Sequence, residues 1–298
     1  MNKKTLPDLY RQHRGKFADK WESYLHVYQA QLESRRSDPI SLLEIGVQNG
    51  GSLEVWANFF PNASSLVGCD IDEACRALSY DDPRINIVVG DAVSAETRGV
   101  ISAISGPLDI VIDDGSHRSS DIVKAFDLYF PDLRDGGIFI VEDLHCSYWK
   151  EYEGGVFAPY SSMAFFKKLS DILNHQHWGV TADRGELLAG FKSKYDLDLS
   201  EAELARIHSV TFLNSMCVIR KSHPLGNALG YRLIAGCEES VTRGNASHRN
   251  EILKPPPQNS NSWNHLVELP EQASVRKDAD LAAMALALES AEKLRQSA

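Results

Sequence analysis

From about Ser41 to Arg220 the chain alternates short, β-branched apolar runs with longer amphipathic segments. That alternation arises when parallel strands are joined by helical crossovers. Strands covered by helices on both faces read as near-continuous apolar runs, because neither side can be polar. The expected architecture is therefore α/β: a doubly wound, mostly parallel seven-stranded sheet with helices on both faces. The runs SLLEIGV (41–47), SLVGCDI (65–71), INIVVGD (85–91), LDIVIDD (108–114) and GIFIVED (137–143) supply five strands, and SVTFLNSMCVIRK (209–221) supplies a late pair.

The flanks read differently. In the helical segment from about Phe17 to Arg36, Trp21, Tyr24, Leu25 and Tyr28 recur at helical spacing, which predicts one apolar face bracing the core or closing over it as a lid. After Lys221 the pattern lapses, and KPPPQNSNSWN (254–264) excludes regular helix or strand. Residues 271–298 are expected to form an exposed C-terminal helix, which either docks on its own domain or belongs to a longer chain. The organisation read from sequence is thus an N-terminal helical segment (1–40), a catalytic domain (41–222), an extension with a Pro/Asn-rich linker (223–270) and the C-terminal helix (271–298).

Composition narrows the partners. A net charge of −10 is unsuited to a nucleic-acid footprint, which needs clustered Lys and Arg. No apolar run is long enough to span a membrane, and the N-terminus lacks the apolar core of a signal peptide, so a cytoplasmic location is expected. The five cysteines have no C-x-x-C spacing, which indicates neither a zinc site nor a disulfide framework. A small molecule or glycan remains as the natural ligand class, and a homo-oligomer is compatible with everything above.

The segment LLEIGVQNGGSL (42–53) joins a strand to a helix through Gly46, Gly50 and Gly51. Glycines let main-chain N–H groups approach a ligand, and the helix N-terminus favours its negative portion. Asp70 closes the second run at the offset where an acid accepts hydrogen bonds from ribose hydroxyls. Asp91 closes the third, placed to take an adenine amino group while Ala92 offers a main-chain N–H; either acid could instead cap the helix after it. Gln48 stands where the dinucleotide fingerprint needs glycine, which disfavours a dehydrogenase.

Runs four and five end in IDDGSH (112–117) and IVEDLH (140–145), bringing Asp113, Asp114, Glu142 and Asp143 to one sheet edge. Four converging carboxylates repel one another unless protons or a cation compensate, which argues for a hard, oxygen-ligated ion such as Mg²⁺ or Mn²⁺ with Asp114, Glu142 and Asp143 as ligands. His117, beside these acids, is the candidate general base, with His145 in reserve. Tyr148, Trp149, Tyr152 and Phe157 would either wall a sugar ring or pack inside a loop.

The E-x-G-x-x-x-G loop beginning at Glu44, with an acid after strand two and G-D-A after strand three, resembles the class I S-adenosylmethionine (SAM) methyltransferases. IDDGSH, the I-x-E-D segment and SYWKEYEGG (147–155) are similar to metal-dependent O-methyltransferases of macrolide deoxysugars and to the wider cephalosporin hydroxylase-like group. The likeness covers about Glu44 to Lys221 and implies a Rossmann-like fold. It would place Glu44, Gly46, Gly50, Ser52, Asp70, Asp91, Ala92 and Asp113 around SAM, Asp113 towards the methionine end, with Asp114, Glu142 and Asp143 on Mg²⁺ and His117 as base. FADKW (17–21) resembles that group's G-T-D-K segment, which closes over SAM; Ala18 replaces its threonine. The implied reaction is in-line attack on the SAM methyl group by one hydroxyl of a vicinal diol. A catechol acceptor, or a non-catalytic module of a glycan-assembly protein, is the alternative.

Overall fold

Each central strand divides its apolar side chains between two cores, as a period of two requires. The computed structural model describes residues 4–264, 281–284 and 286–288. Strands β1 (Ser41–Ile45), β2 (Ser65–Asp70), β3 (Ile85–Val89), β4 (Leu108–Asp113), β5 (Leu133–Val141), β6 (Ile207–Leu213) and β7 (Met216–Lys221) form one sheet in the order β3-β2-β1-β4-β5-β7-β6. Leu42, Ile110, Ile112, Ile138 and Ile140 join the core on one face, while Leu43, Val111, Phe139 and Val141 join that on the other.

The first face is covered by α1 (Leu6–Gln12), α2 (Glu22–Leu32) and α3 (Gly51–Phe59), through residues including Leu6, Tyr28 and Trp56. The second is covered by α4 (Ala95–Ser105), α5 (Ser119–Tyr129), α6 (Ser162–Leu173) and α7 (Ala189–Tyr195), where Phe126, Phe165, Phe166 and Phe191 interlock. A short α8 (Glu201–Leu204) leads into the last hairpin. The sheet is mixed rather than wholly parallel: β7 runs antiparallel to both β5 and β6, since the two-residue turn at Asn214 and Ser215 permits only a hairpin.

β1 pairs with both β2 and β4, so the strand order reverses at β1. Ligands on such sheets bind beyond the carboxyl ends at that reversal. The expected N-terminal apolar face is correct for Tyr24, Leu25 and Tyr28, which are buried, but Trp21 is 62% exposed. It precedes the first helical turn as the residue before Glu22, and so does not share the helix face.

Beyond Lys221 the described residues hold little regular structure, an isolated bridge from Tyr231 to Ile252 apart from short turns. The C-terminal helix expected over 271–298 lies largely outside the described residues; 281–284 and 286–288 are helical and exposed. The four buried cysteines and exposed Cys237 are all free. Among the described residues no helix is long and apolar enough to cross a membrane.

Candidate active site

A cavity of about 530 Å³ opens at the carboxyl ends of β1, β2, β3, β4 and β5. Its floor begins at Gly46, where φ is +89° and a Cβ would lie 2.0 Å from the main-chain oxygen of Asp114, so only glycine fits. Asp70 secures the turn that follows. One carboxylate oxygen accepts the N–H groups of Val47 (2.7 Å) and Gln48 (2.9 Å), the other that of Asp72 (3.0 Å). Burial pushes the Asp70 carboxyl up, but the N–H groups of Asp72, Val47 and Gln48 outweigh it and hold its pKa below the usual range.

Neither Asp70 nor Asp91 caps a helix, since Asp72 and Ser94 take those places. Asp91 accepts the Val93 N–H at 3.1 Å and lines the cavity with Ala92, Gly46, Ser52, Asp70 and Asp113. Glu44 and Gly50 do not line it. Glu44 is fully buried beneath the loop and accepts the Ser52 hydroxyl at 2.6 Å, while Gly50 faces the Tyr80 ring. Burial also pushes the Asp113 carboxyl up to about 7, against the pull of a Gly115 N–H at 3.4 Å.

At the opposite side of the cavity, Asp114, His117 and Asp143 each offer one ligand atom within 4.8 Å of the others. His117 and Asp143 both lie in the left-handed region, at φ +58° and +50°, conformations that non-glycine residues adopt where the surrounding structure fixes them. His117 Nε2 is 3.6 Å from Asp143 Oδ2, and its buried Nδ1 has no hydrogen-bond partner among the described residues. Glu142 is not in this group. Its buried carboxylate accepts the Tyr28 hydroxyl and meets Lys20 Nζ at 2.7 Å. His145 Nδ1 is tied to Ser215 Oγ at 2.5 Å, on the β6–β7 turn.

The residue that sequence reasoning left without a role is Lys20. Its ammonium is buried among Asp114, Glu142 and Glu44, the last at 3.4 Å. Burial alone would lower its pKa; the carboxylates of Glu142, Glu44 and Asp114 prevail and hold it well above the ordinary value. Burial pushes the Glu142 carboxyl up against the pull of Lys20. Two tyrosines whose spacing reads only as core also serve the acids, Tyr28 on Glu142 and Tyr24 on Asp143 Oδ1 at 2.7 Å. The available signal was a lysine inside FADKW, next to a helix whose buried face carries hydroxyls.

An aromatic cluster lies beside Trp21 and His117 of the cavity lining. Trp149 packs edge-on against His145 (ring centroids 4.9 Å apart) and lies 6.1 Å from Tyr152, while Trp21 approaches His145 from the facing segment. Phe157, at 95% exposure, takes no part in this cluster.

Residues 43–144 match the family model of a methyltransferase domain. Over 178 residues (56% of this chain, 46% of the other) the chain is 37% identical to the 8-demethyl-8-alpha-L-rhamnosyl tetracenomycin-C 2'-O-methyltransferase of Streptomyces olivaceus. Over 185 residues (57% and 45%) it is 34% identical to the mycinamicin VI 2''-O-methyltransferase of Micromonospora griseorubida. It is also similar to the MycE methyltransferase of the mycinamycin biosynthetic pathway, solved in complex with Mg and SAH. There the identity is 26% and the TM-score 0.60, covering 83% of this chain and 58% of that one. The chain spans a little under half the length of the two curated relatives, and the segment that matches the family model includes Gly46, Asp114 and Glu142.

Proposed function

We propose that this chain is a SAM-dependent, Mg²⁺-assisted O-methyltransferase acting on a hydroxyl of a sugar or glycan with a vicinal diol. The observation that carries the reading is one cavity bounded on one side by the Gly46 turn and Asp70 and on the other by Asp114, His117 and Asp143. A methyl donor and an activated hydroxyl need that juxtaposition.

The residues fit both groups. The Asp70 carboxylate has about four acceptor positions, three of them taken by main-chain N–H groups, which leaves capacity for a ribose hydroxyl. Asp114 and Asp143 would hold the metal, with Glu142 beside them as third ligand. These are the hard oxygen donors that Mg²⁺ and Mn²⁺ prefer. Bound there, the ion would lower the pKa of a substrate hydroxyl and orient it. His117 would take the hydroxyl proton, and Asp143, 3.6 Å from Nε2, would stabilise the imidazolium. Trp21, Trp149 and Tyr152 offer apolar ring faces to the C–H face of a sugar. One relative is named as a 2'-O-methyltransferase of a rhamnosyl tetracenomycin, which supports a sugar acceptor here.

A methyl-transfer screen of nucleotide sugars, glycans and macrolide glycosides against catechols, with Mg²⁺ present, tests the reading; turnover of catechols alone would overturn the sugar assignment. Asp70→Ala is expected to weaken S-adenosylhomocysteine binding by about 1.5 to 3 kcal/mol, through lost charge-assisted hydrogen bonds and a loosened Gly46 turn. Calorimetry decides this, and unchanged affinity would remove Asp70 from the site.

We also place a domain boundary at Pro255–Pro257. The tail hooks onto the turn after α6, where the Gln258 N–H donates to Gly179 O at 2.8 Å, away from the cavity lining. Deleting residues after Pro257 should leave cofactor affinity intact, and a truncated chain that no longer binds it would show that the tail belongs to the domain.

A further inference from the structure

The segment Lys16–Trp21 crosses the cavity mouth as a strap fixed at both ends. Lys16 is held by Glu54 through N–H (2.8 Å) and ammonium (3.0 Å), and Phe17 O accepts the Gly51 N–H at 3.1 Å. Gly51 permits this approach: a Cβ there would lie 2.2 Å from Lys16 O and 2.5 Å from Phe17 O. The far end runs into α2, anchored by buried Tyr24 and Tyr28.

Between the anchors, Lys20 and Trp21 reach down onto the acids. Lys20 Nζ, with its side chain 3% exposed, contacts Asp114 from the end of β4 and Glu142 from the end of β5. Trp21 Nε1 donates to Asp143 Oδ1 at 3.2 Å. Two adjacent strap residues thus engage all three carboxylates assigned above to the metal. Trp21 is otherwise an exposed indole, so it has little burial to lose on leaving.

We infer that Lys20 and a divalent cation exchange for the same carboxylate oxygens of Asp114 and Glu142, so that metal entry releases the strap from the cavity mouth. The inference rests on the metal reading above. Its physical basis is like-charge repulsion: an ammonium and a divalent ion sharing one carboxylate pair in a site shielded from water repel each other strongly. The ammonium keeps Asp114, Glu142 and Glu44 compensated until it is displaced, because buried carboxylates without a counter-charge destabilise a fold. Substrate access at the mouth is thereby tied to loading of the acids.

The test is Mn²⁺ binding to the full chain, read from the electron paramagnetic resonance signal of free Mn²⁺. Lys20→Met should bind Mn²⁺ about tenfold or more tightly than wild type, since a competing unit charge is gone. Lys20→Arg, which keeps the charge, should bind no more tightly than wild type. Equal Mn²⁺ affinity of wild type and Lys20→Met overturns the exchange and leaves the metal reading standing, whereas wild type that takes up no Mn²⁺ removes the metal reading itself. If Lys20→Met does not fold, wild type decides. Mn²⁺ should then accelerate tryptic cleavage of the Lys20–Trp21 bond severalfold, and an unchanged rate overturns release of the strap.

Discussion

Methyl transfer by this chain is expected to stop when EDTA removes divalent cations, while S-adenosylhomocysteine binds with little change. The two halves of the cavity account for the separation: the turn held by Asp70 follows β1, whereas the acids Asp114 and Asp143 follow β4 and β5. Losing hydroxyl activation and positioning removes several kcal/mol of transition-state stabilisation, enough to extinguish turnover. Asp143→Ala should behave as EDTA does. Transfer of a labelled methyl group, alongside calorimetry with S-adenosylhomocysteine, reads both effects, and full activity in EDTA would end the metal-assisted mechanism while leaving the cofactor assignment intact.

His117→Ala should lower turnover by roughly 10²- to 10⁴-fold at neutral pH, the usual contribution of a positioned general base. The side chain is set by its own main chain, φ +58°, and lies 3.6 Å from Asp143. His145, the other imidazole nearby, is engaged by Ser215. Alkaline buffer should partly restore His117→Ala, where hydroxide can take the proton, and should not restore Asp143→Ala. Since His117 also falls within ligand distance of Asp114 and Asp143, Mn²⁺ affinity separates its roles. A base leaves that affinity unchanged, whereas a ligand lost would weaken it. An unaffected variant at neutral pH would remove His117 from the reaction.

Much of this was legible because burial writes itself into sequence. A strand covered on both faces must be apolar throughout, so Leu42 and Leu43, or Ile110 and Val111, announce β1 and β4 before any contact is known. Acids placed where such runs end must then lie at one sheet edge, which located Asp70, Asp91, Asp114 and Asp143. The extent of β5 was less legible, since the apolar run starts at Gly137 whereas the strand starts at Leu133 and ends at Val141. Lys20 was hidden for a different reason. Periodicity reports which residues share a helix face and says nothing of what a segment outside that helix will reach, and the partners of Lys20 are set by chain crossings of long sequence separation. For the same cause Trp21 was assigned to the wrong surface, and Tyr24 and Tyr28 to packing alone.

The spacing between the two halves of the cavity is a main-chain quantity. The Asp114 N–H donates to Ile45 O and the Glu142 N–H to Asp113 O, each at 2.9 Å, while Gly46 rests directly on the Asp114 carbonyl. The turn assigned to the methyl donor and the loops assigned to acid and base are therefore successive rungs of one ladder, whose pitch is that of adjacent strands. Side-chain substitution away from Gly46 leaves such a ruler unaltered, whereas a Cβ at Gly46 would push against the Asp114 carbonyl. New acceptors would have to be accommodated from outside it, by the aromatic loop after β5 and the strap before α2, so that a lineage can diversify what it methylates without recalibrating how far a methyl group travels.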